Sequence, residues 1–148
     1  MKKLASIALL MLAFASLTYV VSRGISSYQK KENLQKHASG IVLYEQRCAT
    51  CHQSNGEGIS GLYPPLQSSD YVVENKHRII NVLLQGLSGE IIVNGVRYNG
   101  VMHPVPGTDQ EIADILNYIS SEFGNGEMTF AKEEIAVLRE LHSNHSSN

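Results

Sequence analysis

Residues 48–52, with the sequence Cys-Ala-Thr-Cys-His, constrain this chain more than any other part of its sequence. They contain the only two cysteines of the chain, and a histidine follows the second one directly. C-x-x-C-H is the pattern of covalent c-type haem attachment. Two thiols three positions apart on a helical turn can reach the vinyl groups along one side of a porphyrin, and the next imidazole can bind its iron. The motif therefore predicts thioether bonds from Cys48 and Cys51 to one haem, with His52 as an axial ligand.

Other interpretations of the two cysteines are a redox dithiol, a zinc site and a disulfide. A thioredoxin-like dithiol expects a strand and helix of a βαβ unit around the motif, whereas residues 41–44 suit a helix. A structural zinc site usually takes four ligands, often from two C-x-x-C pairs, and the sequence has no second pair. A disulfide across two intervening residues closes a small, strained loop and adds little stability. Haem attachment is therefore the favoured prediction, with a redox dithiol or a metal site as the alternatives.

Composition bounds the size of the core and the class of partner. The chain has 148 residues, of which 43% are hydrophobic and 7% aromatic, and it has no tryptophan. A core of about eighty such residues is marginal alone, so we expect a buried porphyrin to complete it and to couple folding to haem attachment. The formal net charge is −2, and residues 23–148 are more acidic still. This balance argues against nucleic acid as a partner and favours a basic docking patch on a redox protein.

The N-terminal 22 residues predict export. Lys2 and Lys3 precede residues 4–21, which carry no charge and are rich in Leu, Ala and Val. This pattern is typical of a secretory signal, with a candidate cleavage site at residues 13–15, before Ser16. The apolar run is also at the short end of what can cross a bilayer as an uncleaved anchor. Both interpretations place the body of the protein in the bacterial periplasm, either soluble or tethered to the cytoplasmic membrane.

The composition divides the chain into four parts. Residues 1–22 are the predicted signal peptide or membrane anchor, and residues 23–39 are a polar linker. Residues 40–124 form the predicted haem domain. Residues 125–148 form a C-terminal extension, in which we expect a helix within residues 129–141 and a disordered tail at residues 142–148.

Local patterns predict a mostly α-helical domain with one small β-hairpin. Residues 40–47 form a helix that runs into the haem motif, and residues 71–84 have helical apolar spacing. Asn94-Gly95, between two β-rich runs, is the strongest short signal of a hairpin. Residues 108–111 (Thr-Asp-Gln-Glu) match a capping box and start the last helix of the domain.

A second axial ligand is expected, because a low-spin electron-transfer haem needs one, commonly Met or His. After the leader the sequence has two methionines, Met102 and Met128. Met102 lies on a predicted loop at residues 98–104, and loops on rigid supports are common places for such ligands. Met128 follows the last core helix and is too late in the chain to reach the iron easily. Met102 is therefore the predicted ligand, with a core gap-filling role as its alternative and the adjacent His103 as its rival.

With these features in this order, residues 40–123 resemble the class I c-type cytochromes. They are most similar to the small bacterial monohaem cytochrome c domains found alone or fused to dehydrogenases and reductases. The resemblance implies a cytochrome c-like helical fold around one covalently bound haem c. It also implies that the first and last helices cross, with Gly40 facing Tyr118.

The same resemblance implies roles for residues outside the haem motif. Pro64, in a stiff Tyr-Pro-Pro-Leu segment, supplies the carbonyl that orients His52. Leu66 packs on the haem, and Tyr98 begins the segment that leads to the ligand Met102. The subgroup usually has proline directly after the methionine, where this chain has His103.

The function that the resemblance implies is electron carrying and not catalysis. The iron would cycle between Fe(II) and Fe(III), and docking to an oxidase, reductase or dehydrogenase would be weak, transient and salt-sensitive. The alternative is a haem protein with a labile sixth ligand, acting as a peroxidase or gas sensor. An exported dithiol protein without haem is a third hypothesis.

Overall fold

The computed structural model describes residues 2–126 and 128–145, and the side chains of residues 2–10, 13 and 145 lie outside that description. The described residues form helices α1 Lys2–Arg47, α2 Ala49–His52, α3 Asp70–Glu74, α4 Lys76–Gln85, α5 Asp109–Glu122 and α6 Lys132–His145, and strands β1 Leu87–Val93 and β2 Val96–Met102. The predicted fold class, mostly helical with one small antiparallel hairpin, is confirmed.

The chain divides into two units, Met1–Lys36 and His37–Asn148. The backbone of the first unit is helical throughout its described residues, including the part of the predicted linker that it contains. The predicted leader at residues 4–21 lies partly outside the described side chains. Among the described residues, no helix is both long and apolar enough to cross a membrane.

In the second unit, α1 and α5 make a close approach at Gly40. A Cβ atom on Gly40 would lie 2.5 Å from the Asp114 backbone oxygen and 2.8 Å from the Tyr118 Cβ. The Tyr118 ring then packs against Tyr44 and Phe123, with ring centroids 5.3 and 5.4 Å away. The predicted contact between Gly40 and Tyr118 is therefore present, and it brings the N-terminal side of the haem motif onto the last helix of the domain.

The single helix predicted after Asp70 is two helices, α3 and α4. They are separated at Asn75, whose backbone is extended (φ −150°, ψ 108°) and whose side chain accepts a hydrogen bond from the Arg78 N–H. Asn caps the N-terminus of a helix more readily than it continues one, so the chain restarts its helix there. The apolar spacing predicted for the segment persists in α4, where the buried side chains are Ile79, Ile80, Val82 and Leu83.

The predicted hairpin is confirmed, and it is longer than expected. Asn94 and Gly95 both have positive φ, 49° and 76°, as a type I′ turn requires. Pairing then continues until Leu87 faces Met102. The loop predicted at residues 98–104 is therefore wrong over its first five residues, because the backbone hydrogen bonds of the hairpin extend through a glycine that sequence patterns disfavour in strands.

The capping box of α5 is also confirmed. The Thr108 side chain accepts a hydrogen bond from the Glu111 N–H at 3.3 Å, and the Glu111 carboxylate accepts one from the Thr108 N–H at 2.9 Å. This reciprocal pair satisfies two of the free N–H groups at the helix start. It fixes where α5 begins after the segment that follows Met102.

The C-terminal extension packs onto the domain through α6. The Asn117 amide of α5 donates to the Phe130 carbonyl and accepts from the Phe130 N–H, each at 2.9 Å. Lys76 of α4 forms an ion pair with Glu134 at 2.6 Å. The helix continues to His145, further than the sequence pattern predicts, while residues 146–148 of the predicted disordered tail lie outside the described residues.

We predict that Gly40→Ala destabilises the protein. Gly→Ala inside a helix normally stabilises it by about 1 kcal/mol, but the new methyl would overlap α5, and overpacking costs about 1–3 kcal/mol. Gly24→Ala is the matched control in the same helix, because a Cβ atom there meets nothing within 4 Å. Urea unfolding of both variants measures the difference. Equal or greater stability of Gly40→Ala relative to Gly24→Ala would contradict the close approach.

Candidate functional site

The Cys-Ala-Thr-Cys-His segment forms one short helical turn directly after α1. The Cys48 N–H donates to the Tyr44 carbonyl at 2.8 Å, and the His52 N–H donates to the Cys48 carbonyl at 2.9 Å. Cys48 is buried and Cys51 half-buried, and neither is in a disulfide. The turn therefore presents two free thiols and one imidazole from consecutive positions.

The imidazole of His52 is fixed by the carbonyl of Pro64. The Nδ1–O distance is 2.9 Å, and because a carbonyl oxygen only accepts, Nδ1 must carry the proton and Nε2 the lone pair. Burial lowers the pKa of His52 below its ordinary value, while the hydrogen bond to Pro64 opposes that shift. His52 is therefore neutral at neutral pH, and Nε2 is the nitrogen available to a metal.

The loop after His52 folds back on itself to bring Pro64 into place. The Gly58 N–H donates to the His52 carbonyl at 2.9 Å, and Ile59 and Tyr63 exchange two backbone hydrogen bonds at 2.8 Å. Gly58 has φ +66°, and a Cβ atom on it would collide with the backbone of Tyr63 and Pro64. A glycine is therefore required at this turn, both for its conformation and for the space that it leaves.

All the predicted site residues line two adjoining cavities. The larger, of about 310 Å³, is lined by Cys48, Cys51, His52, Pro64, Tyr98 and Met102, together with other residues. The smaller, of about 50 Å³, takes Leu66 as well as Cys48, His52, Pro64 and Met102. Both are lined mainly by apolar side chains, including Leu87 and Ile91 of β1. The haem motif and the hairpin thus enclose one apolar space.

Met102 faces this space from the end of β2. Alternate residues of a strand point to the same face, so Met102 shares a face with Tyr98, which is buried. His103 also lines the larger cavity, but it is exposed and absent from the lining of the smaller one. Met128 packs against the hydrophobic core and lines neither cavity. Of these three residues, Met102 is therefore the one that lines both cavities together with the haem motif.

Arg47 is a residue at the site that the sequence reasoning missed. Its Nη1 donates to the Pro106 carbonyl at 2.7 Å and its Nη2 donates to Glu111 at 3.1 Å. The Thr108 N–H and the Arg47 guanidinium hold the pKa of Glu111 below its usual range. Arg47 thus ties the end of α1 to the segment that follows Met102, and a single basic residue before the motif gave no signal of this.

Gly86 is a second residue whose role at the site was missed. Gly86 directly follows α4, and a Cβ atom there would collide with the Met102 carbonyl oxygen. One turn earlier, the Leu83 carbonyl accepts from the Val105 N–H at 2.8 Å. The C-terminal end of α4 therefore supports the backbone on both sides of residue 103.

The cysteine environment does not suit the alternative chemistries. Burial raises the pKa of the Cys48 thiol to about 11, whereas a redox dithiol needs a readily ionised nucleophile. Among the residues that the structure describes, no group of three or more His, Cys, Asp and Glu side chains could hold a metal ion. Neither a dithiol centre nor a zinc site is supported.

Comparison with known proteins gives the family. The family model described as cytochrome c matches residues 37–122. This chain belongs to the cytochrome c family. It is 42% identical to cytochrome c-552 of Thermus thermophilus over 114 residues, which cover 69% of this chain and 85% of that protein.

Larger proteins share the same domain. The chain is 31% identical to the fructose dehydrogenase cytochrome subunit of Gluconobacter japonicus over 121 residues, which cover 77% of this chain and 24% of that subunit. It is 32% identical to the cytochrome c subunit of the quinone alcohol dehydrogenase of Gluconacetobacter polyoxogenes over 90 residues, 58% of this chain and 19% of that subunit. The chain therefore corresponds to about a fifth to a quarter of each of these subunits.

Family membership brings a covalently bound haem c, and the residues present fit that group. Covalent attachment needs two free thiols, which Cys48 and Cys51 supply in the wall of the larger cavity. The cavity walls are apolar, as a buried macrocycle requires, and His52 offers a neutral imidazole with Nε2 unprotonated. The predicted cofactor is therefore confirmed.

We predict that Gly58→Ala weakens the hydrogen bond from His52 Nδ1 to the Pro64 carbonyl. Gly61→Ala is the matched control, because Gly61 also has positive φ (75°) but a Cβ atom there meets nothing within 4 Å. Both variants adopt a left-handed backbone at a cost of about 1–2 kcal/mol. Only Gly58→Ala adds an overlap with Pro64, which costs about 1–3 kcal/mol more.

Urea unfolding gives the stabilities, and the NMR signal of the His52 Nδ1–H reports its hydrogen bond. We expect the signal to shift in Gly58→Ala and to stay unchanged in Gly61→Ala. Equal effects of the two substitutions would show that the space left by Gly58 does not matter.

Proposed function

We propose that this protein carries single electrons between redox partners, with Cys48 and Cys51 holding the haem and His52 and Met102 binding its iron. The observation that supports the proposal is the apolar cavity lined jointly by both cysteines, His52 and Met102. When bound, the haem supplies a one-electron couple between Fe(II) and Fe(III). The protein has to fix two ligands, exclude water and leave an electron path to its surface.

The two proposed ligands are held by different parts of the backbone. His52 is oriented through Pro64, and Met102 is held through its strand pairing with Leu87. The first support fixes the His52 imidazole against a backbone carbonyl, and the second fixes the backbone of Met102. We therefore expect little movement of either ligand during a change of one electron. A Met102 that stays bound leaves no open position on the iron for a substrate, so this arrangement favours an electron carrier over a peroxidase or gas sensor. A thioether ligand also raises the reduction potential of the haem relative to a second histidine.

The proposed partners are an oxidase, a reductase or a dehydrogenase. Leu62 and Val101 line the larger cavity and are 59% and 68% exposed, so part of the cavity wall lies at the protein surface. Among its described lining residues, Arg47 is the one with a permanent charge. A small, mostly apolar rim suits the weak and transient docking of redox proteins. The dehydrogenase cytochrome subunits among the relatives support partners of this class.

The proposed location is the bacterial periplasm, with residues 4–21 acting as a leader or as an anchor. We expect the haem-loaded protein outside the cytoplasm in a host with a haem attachment system. Retention in the membrane after a high-salt wash would identify an anchor, and a mature N-terminus near Ser16 would identify a cleaved leader. Haem-free protein that stays in the cytoplasm would contradict export.

We predict that Met102→Ala removes the long-wavelength optical band of Met–Fe(III) ligation and opens the reduced protein to rapid carbon monoxide binding. His103→Ala is the matched control on the adjacent residue, and it should keep the band and the slow reaction of the wild type. Optical spectra of the oxidised and reduced proteins measure both effects.

The outcome that would contradict the Met102 assignment is a band that survives in Met102→Ala. A low-spin wild type that lacks the band and binds carbon monoxide slowly would assign the ligand role to His103. A wild type that lacks the band and binds carbon monoxide rapidly would instead support a sensor or peroxidase.

A further inference from the structure

We propose that Asn125 is a positioning residue for His52, acting through the Leu66 end of the proline segment. The inference rests on the proposed function, in which His52 binds the iron. Asn125 lies after α5 and outside the residues 37–122 that the family model matches. Between Gly124 and Gly126 its sequence context predicts only a turn.

Asn125 uses both ends of its side-chain amide in the protein interior. The residue is 2% exposed. Its Nδ2 donates to the Leu66 carbonyl at 2.7 Å and to the Ile119 carbonyl at 3.1 Å, and its Oδ1 accepts from the Ser69 N–H at 3.0 Å. One side chain thus joins the end of α5, the end of the proline segment and the residue before α3.

The contact with Leu66 reaches the iron-binding side of the site through a stiff segment. Leu66 follows Pro64 and Pro65, whose rings fix φ and restrict the residue before each. The Leu66 N–H also donates to the Gly56 carbonyl at 2.8 Å, so Leu66 is held on both its N–H and its carbonyl side. A displacement of Leu66 is therefore passed along the segment to the Pro64 carbonyl that holds His52.

Removing the Asn125 amide leaves three backbone groups without their side-chain partner. Buried backbone groups without partners are costly, so the proline segment and the start of α3 should shift to find new ones. A longer hydrogen bond from His52 to Pro64 makes the imidazole a weaker electron donor. A weaker donor stabilises Fe(III) less, and the midpoint potential then rises.

Asn117, on α5, provides a matched control. Its amide also makes reciprocal hydrogen bonds with a backbone segment, through the N–H and carbonyl of Phe130. That bridge joins α5 to the chain before α6, and it does not involve the proline segment. Asn117→Ala should therefore lower stability without changing His52.

The experiment compares the haem-loaded wild type with Asn125→Ala, Asn125→Asp and Asn117→Ala. The midpoint potential and the NMR signal of the His52 Nδ1–H are measured together with the thermal midpoint. We expect a shifted His52 signal in both Asn125 variants, because aspartate keeps the acceptor for Ser69 but loses both donors. We expect a raised potential in Asn125→Ala, which introduces no charge. Asn117→Ala should keep the wild-type potential and signal at a lowered thermal midpoint.

The inference is overturned if the Asn125 variants lose thermal stability while their potential and His52 signal match the wild type. If neither Asn125 variant accumulates, amide hydrogen exchange of the wild type tests whether Asn125 holds the Ser69 N–H. The Ser69 amide should then exchange as slowly as the core of α5, and rapid exchange would show that the Asn125 bridge is not formed. A wild-type spectrum without the Met–Fe(III) band would contradict the proposed function separately, since the His52 signal does not depend on Met102.

Discussion

The hydrogen bond between His52 Nδ1 and the Pro64 carbonyl is the interaction on which the site depends. It fixes the tautomer of a buried imidazole and so leaves Nε2 unprotonated, as its proposed role as an iron ligand requires. The loop from residue 53 to residue 66 is organised to form it. Gly58 makes the turn, and the two prolines carry a stiff segment back past His52. The orientation of the ligand is therefore a property of the backbone, with little freedom left to the side chain.

The other wall of the cavity is built by the hairpin and α4. Met102 is positioned by strand pairing with Leu87 and by the close approach of its carbonyl to Gly86, and Arg47 secures the segment beyond it. Several core side chains also line the smaller cavity, among them Val72, Ile79, Val82 and Leu83. The hydrophobic core and the haem cavity thus share residues, which is why we expect haem attachment and folding to be coupled.

Features that depend on consecutive residues could be predicted from the sequence. The haem motif, the Asn94-Gly95 turn and the capping box of α5 each depend on a few neighbouring side chains. The break at Asn75 was missed because apolar spacing continues across it. The sequence pattern predicted too early an end for β2, because Gly100 disfavours strand structure. In the structure, pairing with β1 overrides that preference. Arg47 and Asn125 could not be found, since each contacts a carbonyl 59 residues away.

The central claim is that Met102 completes the site opposite His52. The most direct test is the NMR spectrum of the reduced protein labelled with ¹³C in its methionine methyl groups. If the Met102 sulfur binds the iron, its methyl group would lie close to the macrocycle, and the ring current would move the methyl proton signal strongly upfield. We predict one such signal, absent in Met102→Ala and unaffected in Met128→Ala. A wild-type spectrum with no upfield methionine methyl, or with one that belongs to Met128, would contradict the account.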